Sequence, residues 1–139
     1  MKPILTKLLN ISVLLVIGLT MLTGCSKEEG CMDPDAVNYN DKAKKDCCCQ
    51  YTVTYSISGS SNFYDVTYTN SSGGATTQAA ITNSWTHTIT AMRGTNVSLR
   101  ARSKNNSGSV TVIIKRGGTL FKSATSSGAY VTAITSGDL

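Results

Sequence analysis

From Tyr51 onward, apolar and polar residues alternate with period two. The stretch YTVTYSIS sets Tyr51, Val53, Tyr55 and Ile57 on one face and Thr and Ser on the other, the pattern of a strand with one side buried. FYDVTYT repeats it with Tyr64, Val66 and Tyr68. WTHTITA alternates Trp85, His87 and Ile89 with three threonines, and VSLRAR alternates Val97, Leu99 and Ala101 with Arg100 and Arg102. ATTQAAI, VTVIIKR, TLFKSAT and AYVTAIT complete eight candidate strands. Turn-forming residues separate them: Gly59-Ser60-Ser61-Asn62, NSSGG, Met92-Arg93-Gly94, KNNSGS, and Gly117-Gly118 as a two-residue hairpin. Short strands at regular spacing, each with one apolar face, predict an all-β, immunoglobulin-like β-sandwich of about 7–8 antiparallel strands over residues 51–139. Trp85 and the strand tyrosines read as core. His87 shares their parity, which predicts a semi-buried, hydrogen-bonded histidine rather than a catalytic one.

Upstream the pattern differs. Residues 1–24 open with Lys2 and Lys7 and continue as LLNISVLLVIGLTML, an apolar run interrupted by Asn10, Ser12, Gly18 and Thr20. It is too short and too interrupted for a spanning helix of about 20 apolar residues. A basic start, an apolar core and small residues before a cut site describe an export signal. At its end, Leu22-Thr23-Gly24-Cys25 resembles the lipobox of bacterial lipoproteins. That resemblance implies that the Cys25 thiol carries diacylglycerol, that the chain is cut before it, and that residues 25–29 are a lipidated tether. Two or three acyl chains hold a protein stably on a membrane, where one is marginal. Under the same resemblance, Ser26 rather than Asp after the anchor implies the outer membrane. Lys27-Glu28-Glu29 resembles a surface-export tag. The alternative for Cys25 is an ordinary secretory signal with a disulfide cysteine beside it, and for residues 27–29 a plain hydrophilic tether.

Residues 30–50 form a cysteine-rich segment with Cys31, Cys47, Cys48 and Cys49. Export places these thiols in an oxidising space, so disulfides are expected. Four cysteines allow three pairings, and spacing does not choose among them. Adjacent cysteines bond each other only with strain, so the first bond expected joins Cys31 to one of the triplet. Such a bond contributes up to about 3 kcal/mol by chain entropy, in a segment with too little apolar mass to hold itself. The stretch also resembles a short motif of secreted bacterial proteins, G-C-x-D-P-x-A-x-N-Y-[ND]-x-x-A-x-x-D-D-G-S-C. Gly30, Cys31, Asp33, Pro34, Ala36, Asn38, Tyr39, Ala43 and Asp46 match, and CCC stands where the motif ends in D-G-S-C. The resemblance implies Cys49 as the partner of Cys31. Asp33, Asp35, Asn38 and Asp46, with Asn40 and Asp41, supply hard oxygens of the kind Ca²⁺ takes. The EF-hand spacing fails, with Val37 at a ligand position and no Gly at loop position six, and no metal is assigned. Neighbouring thiolates converge poorly on one tetrahedral ion.

The net charge of +5 is unevenly placed. Residues 26–50 are net acidic, while residues 51–139 carry seven bases against Asp65 and Asp138. The plain reading is a solvated basic surface. No run of bases interleaved with aromatics appears, which speaks against nucleic acid. A single histidine, no G-x-S-x-G and no paired strand-end carboxylates leave no catalytic residues and no cofactor to assign. The stretch YTVTYSISGSSNFYDVTYTNSSGG, the lone Trp85, and VTVIIKRGGTLFKSATSSGAYVTA resemble the small accessory proteins of mycobacterial lipid exporters, the MmpS type. That likeness spans residues 51–135 and implies a β-sandwich that assists a membrane transporter. The expected function is a non-enzymatic binding or accessory module of the bacterial envelope, held on the outer membrane by its N-terminal lipid, with an envelope protein or transporter as possible partner. The alternative is a periplasmic accessory subunit of a lipid or efflux transport assembly.

Overall fold

The computed structural model describes residues 28–82 and 84–139. The leader, Cys25 and Ser26–Lys27 of the tether lie outside the described residues. Two short strands, β1 (Glu29–Gly30) and β2 (Lys45–Asp46), precede eight long ones: β3 (Gln50–Gly59), β4 (Phe63–Thr69), β5 (Ala75–Thr82), β6 (Trp85–Met92), β7 (Asn96–Ser103), β8 (Ser109–Arg116), β9 (Thr119–Ser127) and β10 (Thr132–Asp138). The long strands form two antiparallel sheets, ordered β10-β7-β4-β5 and β6-β3-β8-β9. This is the all-β, immunoglobulin-like sandwich that the alternation predicts. Only the β4–β5 and β8–β9 hairpins stay within one sheet; the other links cross between sheets.

The inward parity of each strand fills the space between the sheets. Tyr51, Val53, Tyr55 and Ile57 of β3, Tyr64, Val66 and Tyr68 of β4, Val97, Leu99 and Ala101 of β7, and Val110, Val112 and Ile114 of β8 are all buried. Burying a tyrosine requires a place for its hydroxyl. Tyr55 donates to the Thr69 carbonyl at 2.8 Å, and burial, with Tyr68 alongside, pushes its phenol up to about 12. The Tyr64 hydroxyl is buried with no partner among the described residues.

Turn chemistry sets the register. Gly117 and Gly118 have φ of 56° and 85°, the two positive angles that a tight hairpin matching strand twist requires. Gly59 ends β3 with φ 155°, and a Cβ there would lie 2.1 Å from the Ser109 carbonyl oxygen. The last strand begins three residues later than the alternation suggests. Gly128 and Tyr130 have φ of 133° and 50°, which breaks the extended run. Residues 128–131 instead bond to the end of β7 and the β7–β8 loop, through Gly128 N–H to Gly108 O, Tyr130 N–H to Asn105 O, and the Val131 carbonyl accepting from Ser103 N–H. Pairing with β7 then starts at Thr132 opposite Arg102.

Urea unfolding separates the two tyrosine hydroxyls. Tyr64→Phe leaves stability unchanged or raised, because an unpaired buried hydroxyl is removed, whereas Tyr55→Phe lowers it by about 1 kcal/mol. Gly59→Ala costs about 2 kcal/mol or more, because its Cβ meets backbone rather than a movable side chain.

Candidate functional site: the stapled cap and the loop end opposite it

The segment before β3 folds as a cap on one end of the sandwich, and most residues of the sequence motif have an identifiable structural role there. Cys31 is bonded to Cys49 with Cα atoms 4.8 Å apart, and Cys47 is bonded to Cys48. Gly30 leaves room for Asn40 and Ala43, which a Cβ would approach to 3.0–3.3 Å. Asp33 and Pro34 start a turn closed by Ala36 N–H to Asp33 O at 3.1 Å, and the Asp33 carboxylate accepts from Asp35 N–H at 3.0 Å. Asp at the first and Pro at the second turn position suit that geometry. Ala36 and Ala43 are buried. Asn38 acts as a strand substitute: its side chain accepts from Gln50 N–H and donates to Cys48 O, each at 2.8 Å. Tyr39 stays half exposed.

Cap and sandwich meet at Tyr51, the first inward residue of β3. Its hydroxyl donates to Asp33 Oδ2 at 2.6 Å, and the Arg116 guanidinium lies 4.9 Å from its ring centre. Arg93, in the β6–β7 turn, reaches back with Nη1 to Asp46 Oδ2 at 2.5 Å and Nη2 to Cys49 Sγ at 3.0 Å. Its backbone N–H donates to Cys49 O at 2.8 Å. The other Asp46 oxygen takes Met32 N–H at 3.0 Å. Both carboxyls are held below the usual aspartate range. For Asp33 the chief cause is the Tyr51 hydroxyl, then Asp35 N–H, with Arg116 and Arg93 adding. For Asp46 it is Met32 N–H, then Arg93. The Arg93 guanidinium is correspondingly pushed up, first by Asp46.

Of the calcium candidates, Asp33, Asn38 and Asp46 therefore spend their oxygens on backbone amides, Tyr51 and Arg93, and Asp35 lies beside Arg116 in a depression of about 100 Å³. Among the described residues, the one trio of His, Cys, Asp or Glu close enough to share an ion is Cys31, Asp46 and Cys49, and its two sulfurs are joined to each other. The roles of Arg93 and Tyr51 were not legible in sequence. Arg93 reads there as a turn base and Tyr51 as one more strand aromatic, and only the return of the β6–β7 turn to the start of β3 brings them to the aspartates.

The opposite end holds the Gly59–Phe63, Lys104–Gly108 and Gly128–Val131 links, since antiparallel strands place successive turns at alternate ends. These links are laced together: Ser60 N–H to Ser109 O at 3.1 Å, Lys104 N–H to Phe63 O at 3.1 Å, and Tyr130 N–H to Asn105 O at 2.8 Å. Phe63 and Tyr130 are exposed there, at 45% and 56%. Tyr130 keeps a left-handed backbone with its ring largely in water, an arrangement that costs the fold rather than supporting it. His87 is half-buried as expected, but its ring is held by packing, 4.8 Å from Tyr68 and stacked 5.7 Å from Trp85. A second depression, of about 170 Å³ and lined by residues such as Thr67, Ser98, Arg100 and Ile134, lies over the β4–β7–β10 sheet. Both depressions fall below the roughly 300–1,000 Å³ of small-molecule sites. No helix among the described residues is long and apolar enough to cross a membrane.

No family model matches this chain, and no curated protein matches its sequence.

Two measurements check the cap. In a non-reducing tryptic map, the peptide Glu28–Lys42 travels linked to Asp46–Arg93 through Cys31 and Cys49, and reduction separates them. Because the folded carboxyls titrate below their ordinary value of 3.8, cap docking is complete above that pH and fades as pH falls through the lowered values. The protection of Val37 N–H, bonded to Gln50 O, relative to its intrinsic exchange rate should therefore fall in acid. In Arg93→Ala that protection should already be lower at neutral pH and depend less on acid.

Proposed function

We propose that this chain is a lipid-anchored, non-enzymatic binding module of a bacterial cell envelope, moored through Cys25 and presenting its far loops to a partner. The observation that carries the reading is the two-ended layout. The segment that follows the lipobox is bonded into the start of β3 by Cys31–Cys49, so the anchor enters at the cap end. The exposed aromatics Phe63 and Tyr130 sit at the other end. From Cys25 to Cys31 the chain spans at most about 20 Å even fully extended, so the sandwich stands close over its leaflet, cap inward. Exposed aromatic rings on the far loops suit contact with an extended or macromolecular partner. The buried sulfurs of Cys31 and Cys49 and the partly exposed carboxylates of Asp33 and Asp46 are engaged in bonds that hold the cap together.

Metabolic labelling with a clickable palmitate analogue tests the anchor: label is expected in the native chain and absent from Cys25→Ser, which should leave the membrane fraction. Label retained in Cys25→Ser, or a native chain found free in the medium, overturns the reading. Protease shaving of intact cells then assigns the face. Loss of the protein marks it as surface-exposed. Survival marks it as periplasmic, the setting of an accessory subunit of a lipid or efflux transporter, where gene deletion should change sensitivity to lipophilic compounds.

A further inference from the structure

A sandwich has four sheet edges, and three of these carry a device that blunts them. β5 is bulged: Tyr64 pairs Ile81 but Val66 pairs Gln78, Ala80 takes φ 55°, and its N–H is bonded by the Asp65 carboxylate at 3.2 Å. β9 has a register break at Phe121 and carries Lys122. β10 carries a glycine and a charge at its end, Gly137 and Asp138. Bulges, charges and covering side chains are the usual means by which an edge is kept from pairing.

β6 has none of these. It pairs with β3 through eight successive residues, Trp85 opposite Ile57 to Met92 opposite Gln50, without a shift. Its sequence WTHTITAM contains no Asp, Glu, Lys, Arg, Gly or Pro. Among the described residues no strand pairs with its other edge. On its inner face Trp85 and His87 remain half exposed at this flank, and on its outer face Thr86, Thr88 and Thr90 are exposed. An unpaired backbone edge bordered by partly wetted aromatics is what strand addition uses.

We propose that the β6 edge is taken by β6 of a second copy of this chain, antiparallel, joining two four-stranded sheets into one of eight strands. The strand complements itself. A two-fold axis at Thr88 sets Thr86 against Thr90 on the outer face, and His87 against Ile89 and Trp85 against Ala91 on the inner face. Directly opposed residues share a face, as antiparallel pairing demands, and no like charges meet. A closed two-fold contact of this kind ends with the dimer and does not propagate, because the free edges left outside, β9 and those of the other sheet, are the blunted ones. The inference holds or fails whether or not Cys25 carries lipid.

The test uses the full processed chain. Thr88→Cys, treated in intact cells with a short bis-maleimide, should yield a band of twice the mass, and Ser123→Cys on β9 should not. Sedimentation in density-matched detergent should give the wild type the mass of two chains. Thr88→Lys, a change on an exposed outer position, should give the mass of one chain with an unchanged far-ultraviolet circular-dichroism spectrum. A wild type that sediments as one chain overturns the proposal. So does a Thr88→Cys chain that cross-links only to a protein of another size, which would assign the edge to a foreign strand.

Discussion

Tyr51 is the residue on which the two halves of this protein depend. As the first inward position of β3 it belongs to the sandwich core, and through its hydroxyl on Asp33 it also belongs to the cap. Burying a tyrosine at the end of a sheet leaves a polar group that must be satisfied. The cap satisfies it with a carboxylate, and the carboxylate charge is in turn balanced by Arg93 and Arg116. Cys31 and Cys49 are buried in the same cluster of side chains as Tyr51. Without the staple the segment has too few apolar residues to remain folded, and without the junction it would hang from β3 as a closed loop.

That junction gives the molecule direction. A chain entering through a docked cap, rather than a loose linker, fixes which end of the sandwich the preceding segment joins and which end lies away from it. The far end is cross-tied by main-chain hydrogen bonds among three loops, so the exposed rings of Phe63 and Tyr130 stand on a firm base. Rigid presentation reduces the entropy lost on binding, which fits the binding role proposed above.

Several local features go against stability and are borne by the rest of the fold. Tyr130 and Cys48 hold left-handed backbones without being glycine, and Tyr64 buries an unpaired hydroxyl. The ladder between β3 and its neighbours is the counterweight: β3 runs between β6 and β8, and every inward side chain on it is buried.

How much of this was legible beforehand follows from the range of each interaction. Period-two alternation is local, so YTVTYSIS and VTVIIKR announced their strands, and Gly117-Gly118 its hairpin, from sequence alone. Pro34 after Asp33 announced a turn for the same reason. The start of β10 was misplaced because AYVTAIT alternates well enough, yet residues 128–131 are claimed by the end of β7 and the β7–β8 loop, contacts 20 or more residues away in sequence. Equally, six carboxylate and amide side chains in residues 33–46 have the composition of a cation site, and composition does not say what they face. The sequence determined the layers, the turns and the cysteine-rich segment, because those depend on neighbours a few residues apart. Only the tertiary structure decided that Arg93 and Tyr51 meet Asp33 and Asp46, and that β6 alone keeps a plain edge, because both depend on where distant strands come to lie.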